Sequence, residues 1–259
     1  MAVTKNDYIA VFDSGVGGFS VLRHLQRILP QERYLYFGDC ANAPYGSRTT
    51  EQVRALTLAA AEKMVQAYPI KALVIACNTA TAAAIRDLRS KYPNLIIIGI
   101  EPALKLAADQ FPGGNIGVMA TEVTLREEKF DALMQRFDTG CTVAKIPAPG
   151  LVEQIEAGKL SDVETRQLLQ AILSPYAGKL DALVLGCTHY PFVAKQIRHI
   201  LGDSVALLDG GEGTARETRR RLEQAGLLRD ASDSGEILLR NSANDSRLAT
   251  FYQEVLYHG

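Results

Sequence analysis

The chain has no cysteine pair at zinc-site spacing, no excess of charge of either sign and no long apolar run, and each absence removes a class of function. Its four cysteines, Cys40, Cys77, Cys141 and Cys187, show no C-x-x-C spacing and are too sparse for a disulfide framework. Reduced thiols are therefore expected. Lys and Arg total 28 against 29 Asp and Glu, a formal net charge of −1, with the basic residues scattered. That pattern offers no electrostatic footprint for nucleic acid or an anionic membrane surface, so a small-molecule partner is expected. No apolar stretch approaches the roughly 18 residues of a membrane span, and no charged-then-apolar leader precedes the first strand-like run. The expectation is a cytoplasmic protein, and a homo-oligomer is compatible with this surface.

What the 259 residues do contain is alternation. Strand-like apolar runs fall at Tyr8 to Phe12, Tyr34 to Phe37, Ala72 to Ala76, Leu95 to Ile98, Ile116 to Met119, Thr142 to Ile146, Ala182 to Leu185 and Val205 to Leu208. Helical patterns separate them, which is the signature of βαβ units and a largely parallel sheet. Ser161-x-x-Glu164 reads as a capping box and Thr49-x-x-Gln52 as a weaker one, while Gly202 and Gly226 stand where helices should end.

The chain also repeats itself. Lys71-Ala-Leu-Val-Ile-Ala-Cys77-Asn-Thr and Asp181-Ala-Leu-Val-Leu-Gly-Cys187-Thr-His share one pattern, with cysteines 110 residues apart. Ile9 to Ser14 matches Ile116 to Thr121 at an offset of 107, and Leu95 to Ile98 falls near Val205 to Leu208 at 110. The simplest architecture is α/β: two pseudo-symmetric domains with largely parallel sheets and an active site in the cleft between them. Glu101-Pro102 and Asp209 to Gly211 are the expected crossovers. Residues 1–99 plus 209–259 then form the first domain and 100–208 the second, with the tail strand Ile237 to Leu239 returning to the first.

Either cysteine alone reads first as a small packed hydrophobe. Two at repeat-equivalent positions, followed at once by Asn78-Thr79 and Thr188-His189, read instead as functional groups at the C-terminal edges of strands, where open α/β sheets bind ligands. Facing edges would set one sulfur on each side of a ligand, as a two-base reaction requires. Asp13-Ser14-Gly15-Val16-Gly17-Gly18 lacks the Lys-Ser/Thr of a phosphate loop, and Ser20 replaces the third glycine of a dinucleotide fingerprint. Its glycines suit close approach of backbone to a small ligand, its N–H groups a carboxylate. Asp13 serves equally as a buried cap or a catalytic partner. Pro44-Tyr45-Gly46-Ser47 is a turn able to fold over the mouth, His189 a packed histidine or a proton partner for Cys187, and Glu153 and Glu156 share a helical pattern in which at least one faces solvent. Cys40 and Cys141 read as structural. An enzyme, a binding protein that closes on an amino acid, and a pyridoxal enzyme all remain open, although no lysine sits in a recognisable cofactor setting.

The motifs Asp13 to Gly18, Gly38-Asp39 with Pro44-Tyr45-Gly46, Ala76-Cys77-Asn78-Thr79-Ala80 and Gly186-Cys187-Thr188-His189-Tyr190-Pro191 closely resemble those of the bacterial glutamate racemases, through nearly the whole chain. The resemblance implies a cofactor-independent enzyme of two pseudo-symmetric α/β domains that supplies D-glutamate for peptidoglycan. It implies that Cys77 takes the α-proton from D-glutamate and Cys187 from L-glutamate, with Asp13 supporting the first and Glu156 and His189 the second. Substrate contacts are implied at Asp13, Ser14, Tyr45, Gly46, Asn78, Thr79, Thr121, Thr188 and His189, and no metal. Racemisation of aspartate or another acidic amino acid is the nearest alternative.

Overall fold

The structure is a computed structural model that describes residues 3–126, 140–230 and 234–258. Its first sheet contains β1 (Tyr8–Asp13), β2 (Tyr34–Gly38), β3 (Ile70–Ile75), β4 (Ile96–Gly99) and β9 (Ile237–Asn241), in the order β4-β3-β1-β2-β9. The second contains β5 (Asn115–Ala120), β6 (Thr142–Pro147), β7 (Ala182–Leu185) and β8 (Ala206–Asp209), in the order β6-β5-β7-β8. Every pairing is parallel. Each strand-like run of the sequence carries a strand, its ends displaced by no more than two residues. The central strands β1, β3 and β7 are buried along their whole length, which is why they read as unbroken apolar runs rather than alternating ones.

Read in reverse, the second order, β8-β7-β5-β6, superposes on β4-β3-β1-β2 and leaves β9 as the addition. Hydrogen bonds repeat along with the strands. Ala76 N–H donates to Phe12 O and Gly186 N–H to Met119 O, both at 2.8 Å, and these pairs stand at the sequence offsets of 110 and 107.

Helices α1 (Phe19–Ile28), α2 (Thr50–Ala67), α3 (Asn78–Lys91), α4 (Leu104–Gln110), α5 (Glu122–Arg126), α6 (Leu151–Glu156), α7 (Val163–Leu173), α8 (Ala194–Leu201), α9 (Gly211–Gln224) and α10 (Arg247–His258) join the strands. α1 buries Phe19, Val21, Leu22 and Leu25 on one face. The Thr49/Gln52 capping box forms in both directions at the start of α2, a contribution of about 1 kcal/mol. The Ser161/Glu164 box does not form. Asp162 takes the extended cap position and α7 starts at Val163, so Glu164 is its second residue and falls one short of the position that reaches back. Gly202 and Gly226 follow α8 and α9 with φ of +93° and +66°, a region that disfavours side chains.

Buried Lys71 of β3 ties the tail down: its ammonium contacts the Glu32 carboxylate and donates to Lys5 O at 2.6 Å and Leu227 O at 2.9 Å. Among the described residues no helix is long and apolar enough to cross a membrane.

Candidate active site

Sheet order reverses between β1 and β3 and again between β5 and β7, so the crevices of an open α/β fold lie beyond the C-terminal ends of those strands. Asp13 ends β1, Cys77 follows β3, Thr121 follows β5 and Cys187 follows β7. Sequence and topology thus deliver four of the expected residues to the two crevices before any side chain is considered.

On the first half, Cys77 is the N-cap of α3 and its sulfur accepts the Ala80 N–H at 3.4 Å. Its thiol lies 3.8 Å from the Ser14 hydroxyl and donates to it. Burial, then the nearby Asp13 carboxylate, pushes this thiol up to about 12. Asp13 is itself fully buried, and burial raises it to about 6 against the opposing pull of His189 and the Gly15 amide. Its Oδ1 accepts Gly15 N–H and its Oδ2 accepts the Thr188 hydroxyl, each at 3.0 Å.

On the second half, Cys187 Sγ is 3.6 Å from His189 Nδ1, and His189 Nε2 is 2.6 Å from Glu156 Oε1. Burial opposes charge on this imidazole, but its hydrogen bonds with Cys187 and Glu156 outweigh burial and hold it protonated well above the usual histidine range. Burial likewise works against the Glu156 carboxylate, yet the bond from His189 keeps it ionised. Glu153, by contrast, faces solvent on α6.

The two halves interlock through the glycine loop. Val16 N–H donates to Glu156 Oε1 at 2.8 Å, so the carboxylate this loop holds is the protein's own. A Cβ on Gly15 would stand 1.8 Å from Glu156 Oε1, and one on Gly17 would stand 2.4 Å from both Thr188 Oγ1 and His189 Nδ1. The sequence reading of these glycines as making room for a ligand is corrected to this extent: they make room for the opposite half's side chains.

At the mouth, Tyr45 is buried with its hydroxyl donating to Asp39 Oδ2 at 2.6 Å, while Asn42 donates to both oxygens of the same carboxylate. That hydroxyl is therefore committed to anchoring the turn, and the turn's backbone is what it offers to a ligand. A Cβ on Gly46 would lie 2.7 Å from Thr121 Cγ2, so the turn abuts the second half. Thr79, Thr121 and Thr124 close a ring of hydroxyls across the halves at 3.0 to 3.3 Å. Asn78 is buried and its Oδ1 has no hydrogen-bond partner among the described residues. A cleft of about 280 Å³, lined by Gly46, Thr121, Pro149, Glu153 and neighbours, opens here. Larger surface clefts of about 530 and 770 Å³ lie elsewhere, but neither is lined by a cysteine or by His189.

Thr124 and Asp39 are the participants that sequence reasoning missed. Thr124 stands three residues after Thr121, one helical turn on, and Asp39 two before Ala41 in the Gly38-Asp39 motif whose role had no assignment. Cys40 is buried and Cys141 donates to Phe111 O at 3.2 Å; among the described residues none of the four cysteines forms a disulfide. No group of three or more His, Cys, Asp or Glu among the described residues has the arrangement to hold a metal ion.

The profile of the Asp/Glu/Hydantoin racemase family matches residues 17–218. The glutamate racemase of Clostridium botulinum (strain Alaska E43 / Type E3) is 44% identical over 253 residues, covering 97% of this chain and 98% of that protein. A glutamate racemase isoform of Bacillus anthracis has the same fold with a TM-score of 0.88 at 32% identity, over 98% of this chain and 95% of that one. The glutamate racemase of Francisella tularensis, solved in complex with D-glutamate, aligns with a TM-score of 0.84 at 27% identity, over 98% and 94%.

Proposed function

The chain belongs to the Asp/Glu/Hydantoin racemase family, and on that premise we propose that it interconverts L- and D-glutamate, with Cys77 and Cys187 as the two bases. The observation that carries this reading is the pair of buried sulfurs at repeat-equivalent strand ends, one hydrogen-bonded to Ser14 near the Asp13 carboxylate and the other to His189. Inversion needs a proton removed from one face of the α-carbon and delivered to the other. A single base would return it to the face it left.

In the L-to-D direction, Cys187 as thiolate takes the α-proton while the Cys77 thiol donates to the opposite face; the reverse direction exchanges the roles. Burial beside Asp13 raises the Cys77 thiol to about 12, so it rests as the thiol that donates in the L-to-D direction and is a strong base once it has given up its proton. The carbanion is the costly species. The N-terminal amides of α3 and the Thr79 and Thr121 hydroxyls supply donors for the substrate carboxylates, the imidazolium of His189 adds a nearby positive charge, and burial strengthens each of them. Asn78 Oδ1 supplies an acceptor for the substrate ammonium. Residues 1–99 plus 209–259 and residues 100–208 act as two units that close on the substrate, and D-glutamate for peptidoglycan made in the cytoplasm is the use of the product.

The test is incubation of the purified, reduced protein with L-glutamate in deuterated water, followed by circular dichroism and α-deuterium NMR. Loss of optical signal with deuterium at the α-carbon is expected. Binding without either change would replace the enzyme reading by a binding protein, and turnover of aspartate but not glutamate would reassign the substrate.

A further inference from the structure

Two-base inversion leaves the enzyme in the wrong state for its next turn. After L-glutamate becomes D-glutamate, Cys187 carries the proton and Cys77 has lost one, so a proton must travel from the second half to the first before L-glutamate can react again. Both sulfurs are buried, at 8% and 5% exposure, which restricts exchange through bulk water. We propose that this proton returns inside the protein, through the Thr188 hydroxyl, which joins His189 on the Cys187 side to Asp13 on the Cys77 side. The inference rests on the racemase reading above.

The contacts run unbroken from Glu156 and Cys187 to Asp13, whose carboxylate lies near enough to Cys77 to push its thiol up. Glu156 Oε1 holds His189 Nε2 at 2.6 Å; His189 Nδ1 lies 3.6 Å from Cys187 Sγ and 3.4 Å from Thr188 Oγ1; Thr188 Oγ1 donates to Asp13 Oδ2 at 3.0 Å. A hydroxyl can accept a proton on one lone pair while releasing its own. The Thr188 carbonyl is fixed by the Ser20 hydroxyl at 2.8 Å, which holds the relay residue in register with the first half.

Each step balances. The imidazolium passes its Nδ1 proton to Thr188 Oγ1 as the Thr188 proton moves to Asp13 Oδ2, leaving neutral imidazole and an Asp13 carboxylic acid. The Cys187 thiol then protonates Nδ1, becoming the thiolate and restoring the imidazolium. Asp13 gives its proton to the Cys77 thiolate, regaining its charge, and rotation of the Thr188 hydroxyl completes the cycle. The net change is one proton moved from Cys187 to Cys77, with no co-reactant.

The reset becomes visible when substrate is so concentrated that free-enzyme interconversion limits exchange, a regime in which exchange near equilibrium slows as total glutamate rises. In Thr188→Val, which removes the hydroxyl but keeps the shape, the threshold concentration for this slowing is expected to fall at least about tenfold, with Thr188→Ser restoring it. An unchanged threshold with only a raised KM would make Thr188 a substrate contact and overturn the relay; a Ser variant as impaired as Val would assign the effect to packing and overturn it too. The wild-type enzyme gives an independent measurement. In mixed light and heavy water its reset rate is expected to depend non-linearly on deuterium fraction, because two protons move together, whereas a linear dependence overturns the relay. Absence of turnover by wild-type protein would overturn the racemase reading itself, and the relay with it.

Discussion

Cys77 and Cys187 leave equivalent strands, β3 and β7, and yet the backbone beyond them differs, and one residue explains the divergence. Thr81 N–H donates to Cys77 O at 2.9 Å and begins α3 as an α-helix. The position 110 residues on is Pro191, which has no N–H to offer Cys187 O. Tyr190 N–H takes that acceptor instead at 3.2 Å, in a 3-10 turn over Tyr190–Val193, with α8 delayed to Ala194. The sulfurs diverge accordingly. Ala80 N–H caps the Cys77 sulfur, whereas its counterpart Tyr190 is spent on the backbone, and the Cys187 sulfur finds the His189 imidazole. A repeated scaffold thus presents a thiol held by an amide and the Ser14 hydroxyl in one half, and a thiol held by a proton-bearing pair in the other.

The comparison breaks most visibly at the sulfurs. On the two-base proposal, Cys77→Ala and Cys187→Ala are each expected to cut racemisation by roughly 10⁴-fold or more, each removing the proton carrier proposed for one face. The residual chemistry separates them: Cys77→Ala should retain α-deuterium exchange with L-glutamate alone, and Cys187→Ala with D-glutamate alone, as read by NMR in deuterated water.

Glu156→Gln comes next. Losing the counterion of a buried imidazolium is expected to lower kcat/KM roughly 10²-fold. The fall must be equal in both directions, since enantiomers are isoenergetic. Asymmetry will show in the primary isotope effect, which should rise for α-deuterated L-glutamate and fall for the D form as abstraction by Cys187 becomes more limiting.

Asp13→Asn tests the other face and carries a pH signature. Burial raises the Asp13 carboxyl from 3.8 to about 6, so between those values the folded state binds more protons than the unfolded one. Folding therefore loses stability as pH rises through this window, up to about 3 kcal/mol above it. The Asn variant is expected to be more stable than the parent at pH 8 by up to that amount, with the gain gone below pH 4 in denaturant titrations, while kcat falls more than KM changes. Thr124→Val is the smallest effect: one hydroxyl lost from a ring spanning both halves, about 1 kcal/mol or fivefold in KM with kcat little altered.

Much of this was legible in the chain because buried parallel strands leave continuous apolar runs, and a duplicated strand brings its chemistry with it. Cys77 and Cys187 stood out for that reason, and Thr188-His189 with them. The opposite holds where partners are remote in sequence. Nothing near Gly15 signals that Glu156, 141 positions downstream, will occupy the space a side chain would need. The commitment of the Tyr45 hydroxyl to Asp39 and the Thr79–Thr121–Thr124 ring are likewise products of assembly. At Ser161 the failure was local: two neighbouring residues can both cap, and Asp162 took the position.

The strand β9 sets an order of events during synthesis. β2 pairs with it from Tyr34↔Ile237 to Gly38↔Asn241, so the outer edge of β2 is closed by residues that leave the ribosome long after it. By then all four strands of the second sheet have already emerged as one uninterrupted stretch. The first sheet to begin is consequently the last to be finished, and in the interval its open edge is a template for pairing with other nascent chains. Premature termination before Ile237 would leave the sequence of both crevices intact while stranding that edge, making a truncated product prone to aggregate.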